Sequence, residues 1–339
     1  MKETEIPMTN KIDVHSHFFA PALWKKLAEV VGAPHPASTF SKVKESDYQM
    51  QRFDEGQRLE LMDQFGVEKS VFSFPSMPVY MGAREEVKKA KERKRITLEL
   101  NDYFAKVHQK NPQRLLFFAD VPLSVDVAFS CRELHRAIEE LDLQGVAIPT
   151  NIAGKRPSEP EFEEFFTEAD KMGVPIFVHP QNAYGRDQME NFMLTPMIGY
   201  PAETSLTAAR MVLDGFLEKH PNLKVILCHL GGFIPYIHRR MNTFTEASNV
   251  DPKVSGKANL SKQPSKYLEQ FYYDTAVGNP EALELCLKVI GPDRILFGTD
   301  HPYVEKAEAK TIDCISRTKL TMEQRDKIYH LNARKLFKT

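Results

Sequence analysis

Short apolar runs alternate with amphipathic stretches through most of the chain. The first run covers residues 12–14 and leads directly into His15 and His17. Comparable runs begin near residues 67, 115, 145, 174, 224, 271 and 294. Strands buried in parallel sheets have this continuous apolar character, and the runs are short enough to be strands rather than helices. The pattern therefore predicts eight strands separated by other elements.

The stretches between these runs carry apolar residues at helical spacing. They predict helices over residues 58–65, 83–110, 125–141, 161–172, 202–219, 282–290, 321–330 and 332–337. Gly66 and Gly173 follow two of these stretches, as glycine commonly does at helix ends. The charged run over residues 88–95 is interpreted as a solvated helix face rather than a polyanion site.

Eight strands that alternate with helices predict an α/β fold with a parallel sheet covered by helices. Eight such units can close into a (β/α)8 TIM barrel. An open doubly wound sheet is the competing architecture, but the first strand is not followed by G-x-G-x-x-G and the chain has no Walker loop. We therefore expect one barrel domain over residues 1–339.

Residues 19–57 depart from this alternation. The stretch is irregular, contains Pro21, Pro34 and Pro36, and is longer than most loops inside a compact domain. Loops of this length usually serve a function or carry small elements of their own. We expect a small insertion after strand one that lies over a site.

Composition narrows the class of partner. The chain has 339 residues, of which 42% are hydrophobic, and its 45 Lys and Arg nearly balance 46 Asp and Glu. No bulk charge would attract nucleic acid or an anionic membrane, so a small molecule is the expected partner. The four cysteines form no C-x-x-C pair, and neither a signal peptide nor a membrane span is evident. We therefore expect a cytoplasmic protein.

Candidate ligands fall at the ends of predicted strands. His15 and His17 end the first strand, His179 the fifth, His229 the sixth and Asp300 the eighth. In a barrel, the carboxyl ends of all strands open onto one face, where such enzymes carry their chemistry. These positions, scattered along the sequence, are therefore predicted to form one cluster.

Taken singly, each residue also has a purely structural interpretation. A histidine at a strand end is often a satisfied polar side chain, and Asp300 could cap the following turn. Together, three imidazoles and a carboxylate suit a divalent ion, which would lower the pKa of bound water to about 7. Zn²⁺ is the first expectation, with Mn²⁺, Fe²⁺ and Co²⁺ also compatible. His229 would then move a proton, and His301 is left as a supporting residue.

These features resemble the amidohydrolase superfamily, which has H-x-H after strand one, histidines after strands five and six, and aspartate after strand eight. The chain is most similar to the aminocarboxymuconate-semialdehyde decarboxylase-like branch. The matching stretches extend from Ile12 nearly to the end: IDVHSHFF, NPQRLLFFADVPL, VPIFVHP, YPAETSLTA, HLGGFIPYIHRR, YYDTAVGNPEALEL and DRILFGTDHPY.

The resemblance implies a (β/α)8 barrel that binds one divalent metal and removes CO2 from its substrate without oxidation. The implied metal ligands are His15, His17, His179 and Asp300. His229 resembles the acid/base, which acts with Asp300, and Arg58 resembles an arginine that binds the substrate carboxylate. Arg240 resembles a second such arginine that enters from the neighbouring subunit of a homodimer. Strand four has no lysine, so a carbamylated lysine bridging two metals has no candidate.

The expected reaction is decarboxylation of a small unsaturated or aromatic carboxylic acid. The alternative is hydrolysis of a lactone or amide on the same metal site. A barrel that only binds or assembles is disfavoured because all five site positions are occupied by suitable residues. His301, where the decarboxylases typically carry Tyr, and the stretch after His179 depart from the family pattern and leave the substrate open.

Overall fold

The computed structural model describes residues 10–18, 54–74, 89–181, 183–189, 191–246 and 260–338. Most of the predicted insertion over residues 19–57 lies outside these ranges, so it stays a prediction. Its last part is described, and a helix already begins at Glu55, where the Asp54 side chain accepts a hydrogen bond from the backbone N–H of Gln57.

Eight parallel strands form one sheet in sequential order. The strands are β1 (Lys11–His17), β2 (Val67–Ser73), β3 (Leu115–Asp120), β4 (Gly145–Pro149), β5 (Pro175–His179), β6 (Lys224–Leu227), β7 (Tyr272–Asp274) and β8 (Ile295–Leu296). Each of the eight predicted strands is present, and the (β/α)8 barrel prediction is confirmed.

Helices separate the strands. The α-helices of the described residues are α1 (Glu55–Gln64), α2 (Ala90–Lys110), α3 (Val127–His135), α4 (Glu163–Met172), α5 (Tyr200–Leu213), α6 (Phe216–Lys219), α7 (Ile234–Glu246), α8 (Pro264–Tyr267), α9 (Pro280–Ile290), α10 (Ala307–Arg317), α11 (Met322–Asp326) and α12 (Asn332–Phe337). Single π-helical turns extend three of them over Arg136–Glu140, Thr195–Gly199 and Lys327–Leu331. Within the described ranges, the helices are too short or too polar to span a bilayer.

The chain after β8 hydrogen-bonds to β1 and so joins the two ends of the sheet. The N–H of Val14 donates to the carbonyl of Phe297 at 2.9 Å, and the N–H of Asp300 donates to that of His15 at 2.8 Å. The N–H of His17 reaches the carbonyl of His301 at 2.7 Å. These bonds hold the end of β1 beside the residues that follow β8.

The barrel interior is apolar below the polar strand ends. One buried cluster unites Ile12 and Val14 of β1 with side chains from strands around the sheet and with Phe337 of α12. Phe118 of β3 and Phe177 of β5 stack at 5.3 Å within it. Side chains from strands this far apart in the sheet can meet only inside the barrel. A larger cluster fills the layer between strands and helices.

Some boundaries differ from the sequence pattern. Residues 202–219 were predicted as one helix, which is wrong, because Gly215 has φ 81° and separates α5 from α6. A left-handed residue cannot continue a right-handed helix, and glycine adopts this conformation without steric cost. Helices α7, α8 and α10 were not predicted at all.

Candidate metal centre

Four of the predicted ligands meet at the carboxyl ends of the strands. The ligand atoms of His15, His17, His179 and Asp300 all lie within 4.8 Å of one another. Asp300 Oδ1 lies 3.2 Å from Nε2 of His17 and 3.3 Å from Nε2 of His15. Strand alternation places both β1 histidines on the inner face, as the sequence predicted.

His179 provides the test of whether this cluster fits a metal ion. Among the described residues, its buried Nε2 has no hydrogen-bond partner. Burial, reinforced by the neighbouring His17 and His15 rings, holds the pKa of His179 well below its usual range. A neutral imidazole with a buried, unused lone pair is the form that ligates Zn²⁺ and similar ions. The residues therefore fit a divalent ion.

The charges of the cluster are strongly coupled. Burial disfavours a charged His15, but the carboxylates of Asp274 and Asp300 outweigh it and raise the pKa of His15 to about 10. Burial likewise acts against the Asp300 carboxylate, yet His15 and His17 hold its pKa well below the usual value. An ion bound here would have to displace the proton from His15.

Asp274 is a site residue that the sequence analysis missed. It ends β7, and its Oδ2 lies 2.8 Å from Nδ1 of His15. Its Oδ1 accepts the backbone N–H groups of His229 and Ala276, both at 3.0 Å. A single aspartate at the end of a three-residue strand forms no motif. The rule that selected His179 and His229, a polar residue at a strand end, would have selected it.

Further side chains surround the two β1 histidines. The Ser73 hydroxyl lies 3.0 Å from Nδ1 of His17, and the ring of Tyr303 packs edge-on against His17 with centroids 5.0 Å apart. Phe177 packs against His15 from below, with centroids 4.9 Å apart. Such contacts fix ring orientation and so keep a ligand set preorganised.

His229 stands beside the cluster in a strained turn. Its Nε2 lies 3.4 Å from Oδ2 of Asp300, and its buried Nδ1 has no hydrogen-bond partner in the described part of the chain. His229, Leu230 and Asp300 all have positive φ, at 55°, 54° and 63°. Non-glycine residues rarely adopt this region, and such strain concentrates at functional sites.

Arg58 occupies a different environment from the one expected of a substrate-binding residue. It is buried on α1, forms an ion pair with Glu308, and its Nη2 lies 3.0 Å from Oδ2 of Asp13. Nη2 also donates to the hydroxyls of Ser70 at 2.9 Å and Ser16 at 3.1 Å. Its role in substrate binding stays a prediction, and these buried contacts argue against it.

The same network explains the position of His301. Its Nδ1 lies 3.1 Å from Oε1 of Glu308, the residue that also binds Arg58. Asp13, at the other side of Arg58, accepts hydrogen bonds from the N–H of His15 and the hydroxyl of Thr299. A register irregularity between Asp13 and Ser16 lets both side chains face Arg58 although they are three residues apart. The network joins β1 to the segment after β8 behind the ligands.

Arg240 is exposed on α7, and its guanidinium lies 4.7 Å from the ring centroid of Phe244. Tyr236 and Phe244, four residues before and after it, are 79% and 63% exposed. Residues four apart lie on one face of a helix, so these three form an exposed stripe. We refer to Tyr236, Arg240 and Phe244 as the α7 stripe.

The fold and the ligand cluster define the class as a (β/α)8 barrel with a candidate mononuclear metal site. Within that class, the chain belongs to the Amidohydrolase family, whose model matches residues 12–339. The resemblance inferred from the motifs is thereby confirmed.

Characterised relatives cover most of the chain. It is 30% identical over 306 residues to a 2-amino-3-carboxymuconate-6-semialdehyde decarboxylase of Dictyostelium discoideum, covering 86% of this chain and 82% of the relative. It is 30% identical over 293 residues to a gamma-resorcylate decarboxylase of Rhizobium sp. (strain MTP-10005), covering 83% and 86%. The crystal structure of a 2,6-dihydroxybenzoate decarboxylase with bound 2,6-dihydroxybenzoate superposes with a TM-score of 0.79 at 25% identity, covering 98% and 100%.

Proposed function

We propose that this protein is a metal-dependent, nonoxidative decarboxylase of a small carboxylic acid. The observation that carries the proposal is the convergence of His15, His17, His179 and Asp300, with a buried nitrogen on His179 that has no hydrogen-bond partner among the residues that the structure describes. The relatives described above, which are named as decarboxylases, give the reaction type. They do not favour the alternative of lactone or amide hydrolysis.

The four clustered residues would hold one divalent ion. Three nitrogen donors and one carboxylate oxygen are a common donor set for Zn²⁺, so we keep zinc as the first expectation. Affinity alone does not determine which metal a cell loads, and Mn²⁺, Fe²⁺ or Co²⁺ would suit the same donors. When bound, the ion would supply a Lewis acid for the substrate's oxygen atoms.

His229 is the proposed acid/base. In decarboxylation the bond between carbon and carboxylate breaks, CO2 leaves, and the electron pair that remains on carbon takes up a proton. His229 would deliver that proton from Nε2, the ring nitrogen that faces Asp300. Asp300 contacts both His229 and the β1 histidines, so its carboxylate would orient the ring while serving as a ligand.

The favoured substrate is a hydroxylated aromatic acid or an unsaturated acid of similar size. Two of the three relatives described act on, or bind, 2,6-dihydroxybenzoate (gamma-resorcylate). The third acts on an aminocarboxymuconate semialdehyde. A cation that pairs with the substrate carboxylate would hold the acid in position for bond cleavage, while the charge that develops on carbon is relieved by the proton from His229. Arg240 is the stronger candidate, because Arg58 is already occupied by Asp13 and Glu308.

We further propose that the protein acts as a homodimer in which Arg240 reaches the site of the neighbouring copy. The α7 stripe supports this, because two large aromatic side chains beside an exposed arginine are typical of interface anchors. In a two-fold dimer each copy would provide its arginine to the other.

The proposal is tested by measuring CO2 release and substrate loss together. Protein stripped with a chelator is reloaded with Zn²⁺, Mn²⁺ or Co²⁺ and given 2,6-dihydroxybenzoate, an aminocarboxymuconate semialdehyde, an aromatic lactone or an aromatic amide. We expect one CO2 per acid consumed. In D2O we expect one deuterium at the carbon that lost its carboxylate.

The outcomes separate the two reaction types. CO2 release in step with substrate loss, abolished by chelation, supports the decarboxylase. Acid production from the lactone or amide without CO2 would move the protein to the hydrolases. Metal uptake without turnover of any compound would contradict both and favour a barrel that only binds.

A further inference from the structure

Asp274 contacts two residues to which the proposed function gives different roles. Its Oδ2 lies 2.8 Å from Nδ1 of His15, a proposed metal ligand. Its Oδ1 accepts the backbone N–H of His229, the proposed acid/base, at 3.0 Å. We propose that Asp274 is a positioning residue that orients both at once. The inference rests on the proposed function of this site.

The contact with His15 selects one tautomer. A carboxylate can only accept hydrogen bonds, so it requires the proton on Nδ1 of His15. The proton that a metal ion displaces from His15 is then the one on Nε2, the nitrogen that lies 3.3 Å from both His17 Nε2 and Asp300 Oδ1. Carboxylates that fix ligating histidines in this way are common around metal sites and affect metal affinity. Asp274 would therefore prepare His15 to ligate.

The contact with His229 holds a strained backbone. His229 has φ 55°, a left-handed conformation that strains a non-glycine residue. Oδ1 of Asp274 also accepts the N–H of Ala276, so one oxygen ties the turn after β6 to the turn after β7. This tie places the His229 ring beside Asp300.

Close packing prevents this arrangement from shifting. A Cβ atom at Gly298 would lie 2.8 Å from Cβ of Asp274 and 2.9 Å from Cβ of His15. Only glycine permits this approach of the segment after β8. Asp274 is itself fully buried, so its carboxylate has no access to water as an alternative partner.

The sharpest test is Asp274→Asn, which keeps the shape of the side chain but replaces one carboxylate oxygen, an acceptor, with an NH2 group, a donor. The two oxygens of Asp274 face three donors, on His15, His229 and Ala276. In either orientation of the amide, its NH2 group must face His15 or the two backbone N–H groups. Facing His15, it would force the proton onto Nε2 and remove the lone pair needed for ligation.

We expect Asp274→Asn to weaken Co²⁺ and Zn²⁺ binding by about 10- to 100-fold. Titration against a chromophoric chelator gives the affinity, and the Co²⁺ absorption spectrum reports the ligand set. At saturating metal we expect kcat to fall while KM changes less than about twofold, because Asp274 supports the acid/base rather than the substrate.

Asp120→Asn is the matched control. Asp120 is also a buried aspartate at a strand end, but its carboxylate pairs with Arg93 at 2.7 and 2.9 Å. Like Asp274→Asn, the Asp120→Asn variant removes one charge from a buried charged pair. Its change in the free energy of unfolding therefore measures the cost of losing that charge. We expect its Co²⁺ affinity to stay within about twofold of the wild type.

The outcomes are distinct. Wild-type Co²⁺ affinity and spectrum in Asp274→Asn would overturn this inference and leave the proposed function standing. Wild-type protein that takes up neither Co²⁺ nor Zn²⁺ would overturn the proposed function and the inference with it. Should Asp274→Asn fail to fold, Gly298→Ala separates His15 and Asp274 without changing a charge. We expect it to lower Co²⁺ affinity in the same way, and unchanged affinity would contradict the inference.

Discussion

Oδ2 of Asp300 lies 3.4 Å from Nε2 of His229, while Oδ1 of the same carboxylate lies 3.2 Å from Nε2 of His17. One side chain thus connects the proposed acid/base to the ligand cluster. Mutation of His179, which belongs to the ligand cluster, should therefore affect metal binding, and mutation of His229, which lies outside it, should affect proton transfer. Mutation of Asp300 should affect both.

Removing the His179 ring is expected to abolish stable metal binding. We expect His179→Ala, after reloading and desalting, to keep well under one equivalent of metal, because three donors remain where four converge. Metal content by mass spectrometry measures this. His135→Ala is the control, since His135 is partly exposed and binds Glu139 and Glu168 instead. Full metal content in His179→Ala would contradict the ligand assignment.

His229→Asn is expected to retain the metal but to lose activity. His229 is outside the four-ligand cluster, so we expect its loss to leave about one equivalent of metal bound. A general acid/base contributes roughly 10²- to 10⁴-fold in rate, and kcat should fall by that factor. Metal content and steady-state kinetics on one preparation test both points. Metal loss equal to that of His179→Ala would instead make His229 a ligand.

The sequence predicts the strands and the four clustered ligands of this site because both depend on local patterns. Apolar runs mark the eight strands, and His15, His179 and Asp300 follow them directly. Glu308 was missed because it acts through Arg58, 250 residues away in the chain, and no spacing or motif marks that pair. Asp274 pairs with His15, 259 residues away, and only its position at the end of β7 could have selected it.

The interpretation of Arg58, which stays a prediction, also depends on contacts that the sequence does not show. Its motif resembles a substrate-binding arginine, but the packing of α1 on the barrel buries its guanidinium between Asp13 and Glu308. A family motif gives the residue type at a position, whereas the direction of a long side chain depends on tertiary contacts. The helix break at Gly215 was also not predicted, because the helical spacing of apolar residues continues on both sides of it.

Arg58→Ala is expected mainly to lower the free energy of unfolding rather than to raise KM. It would leave the buried carboxylates of Asp13 and Glu308 without their common cation, at a cost of about 3–5 kcal/mol in the free energy of unfolding. Urea denaturation measures this, with Arg58→Lys expected to lose less because the charge remains. A tenfold rise in KM with unchanged stability would instead support the substrate-binding role.

Lys11 should make stability depend on alkaline pH. It is buried at the start of β1, donates to the carbonyl of Phe65 at 2.9 Å, and burial lowers its pKa to about 8. Between pH 8 and 10.5 the unfolded chain holds this proton while the folded protein releases it, so stability rises with pH in that window.

The measurement compares wild type with Lys11→Met, so that the titration of other groups cancels. We expect the wild type to gain on the order of 1–2 kcal/mol relative to the variant between pH 7.5 and pH 10. Denaturant midpoints at each pH give the difference. If the difference in unfolding free energy between the two proteins were constant across this range, burial would not lower the pKa of Lys11.

The dimer prediction can be tested by complementation between two inactive variants. Arg240→Ala removes the proposed cation from the neighbour's site, and His229→Asn removes the acid/base from its own. In a mixed dimer, the site on the Arg240→Ala copy has its own His229 and receives Arg240 from the partner. Random exchange makes half the dimers mixed with one intact site each, so activity should return to about a quarter of the wild type.

Each variant measured alone is the control, and mass spectrometry of intact dimers carrying one isotope-labelled variant establishes that copies exchange. Recovery requires that Arg240 act across the interface, since an arginine serving its own site would leave every mixed site defective. The α7 stripe adds a second variant, Tyr236→Ser, which should weaken association because it removes a side chain that is 79% exposed in the single copy. Full activity in a sedimenting monomer would contradict the shared site, whereas a dimer without recovery would keep the interface and reject the role of Arg240.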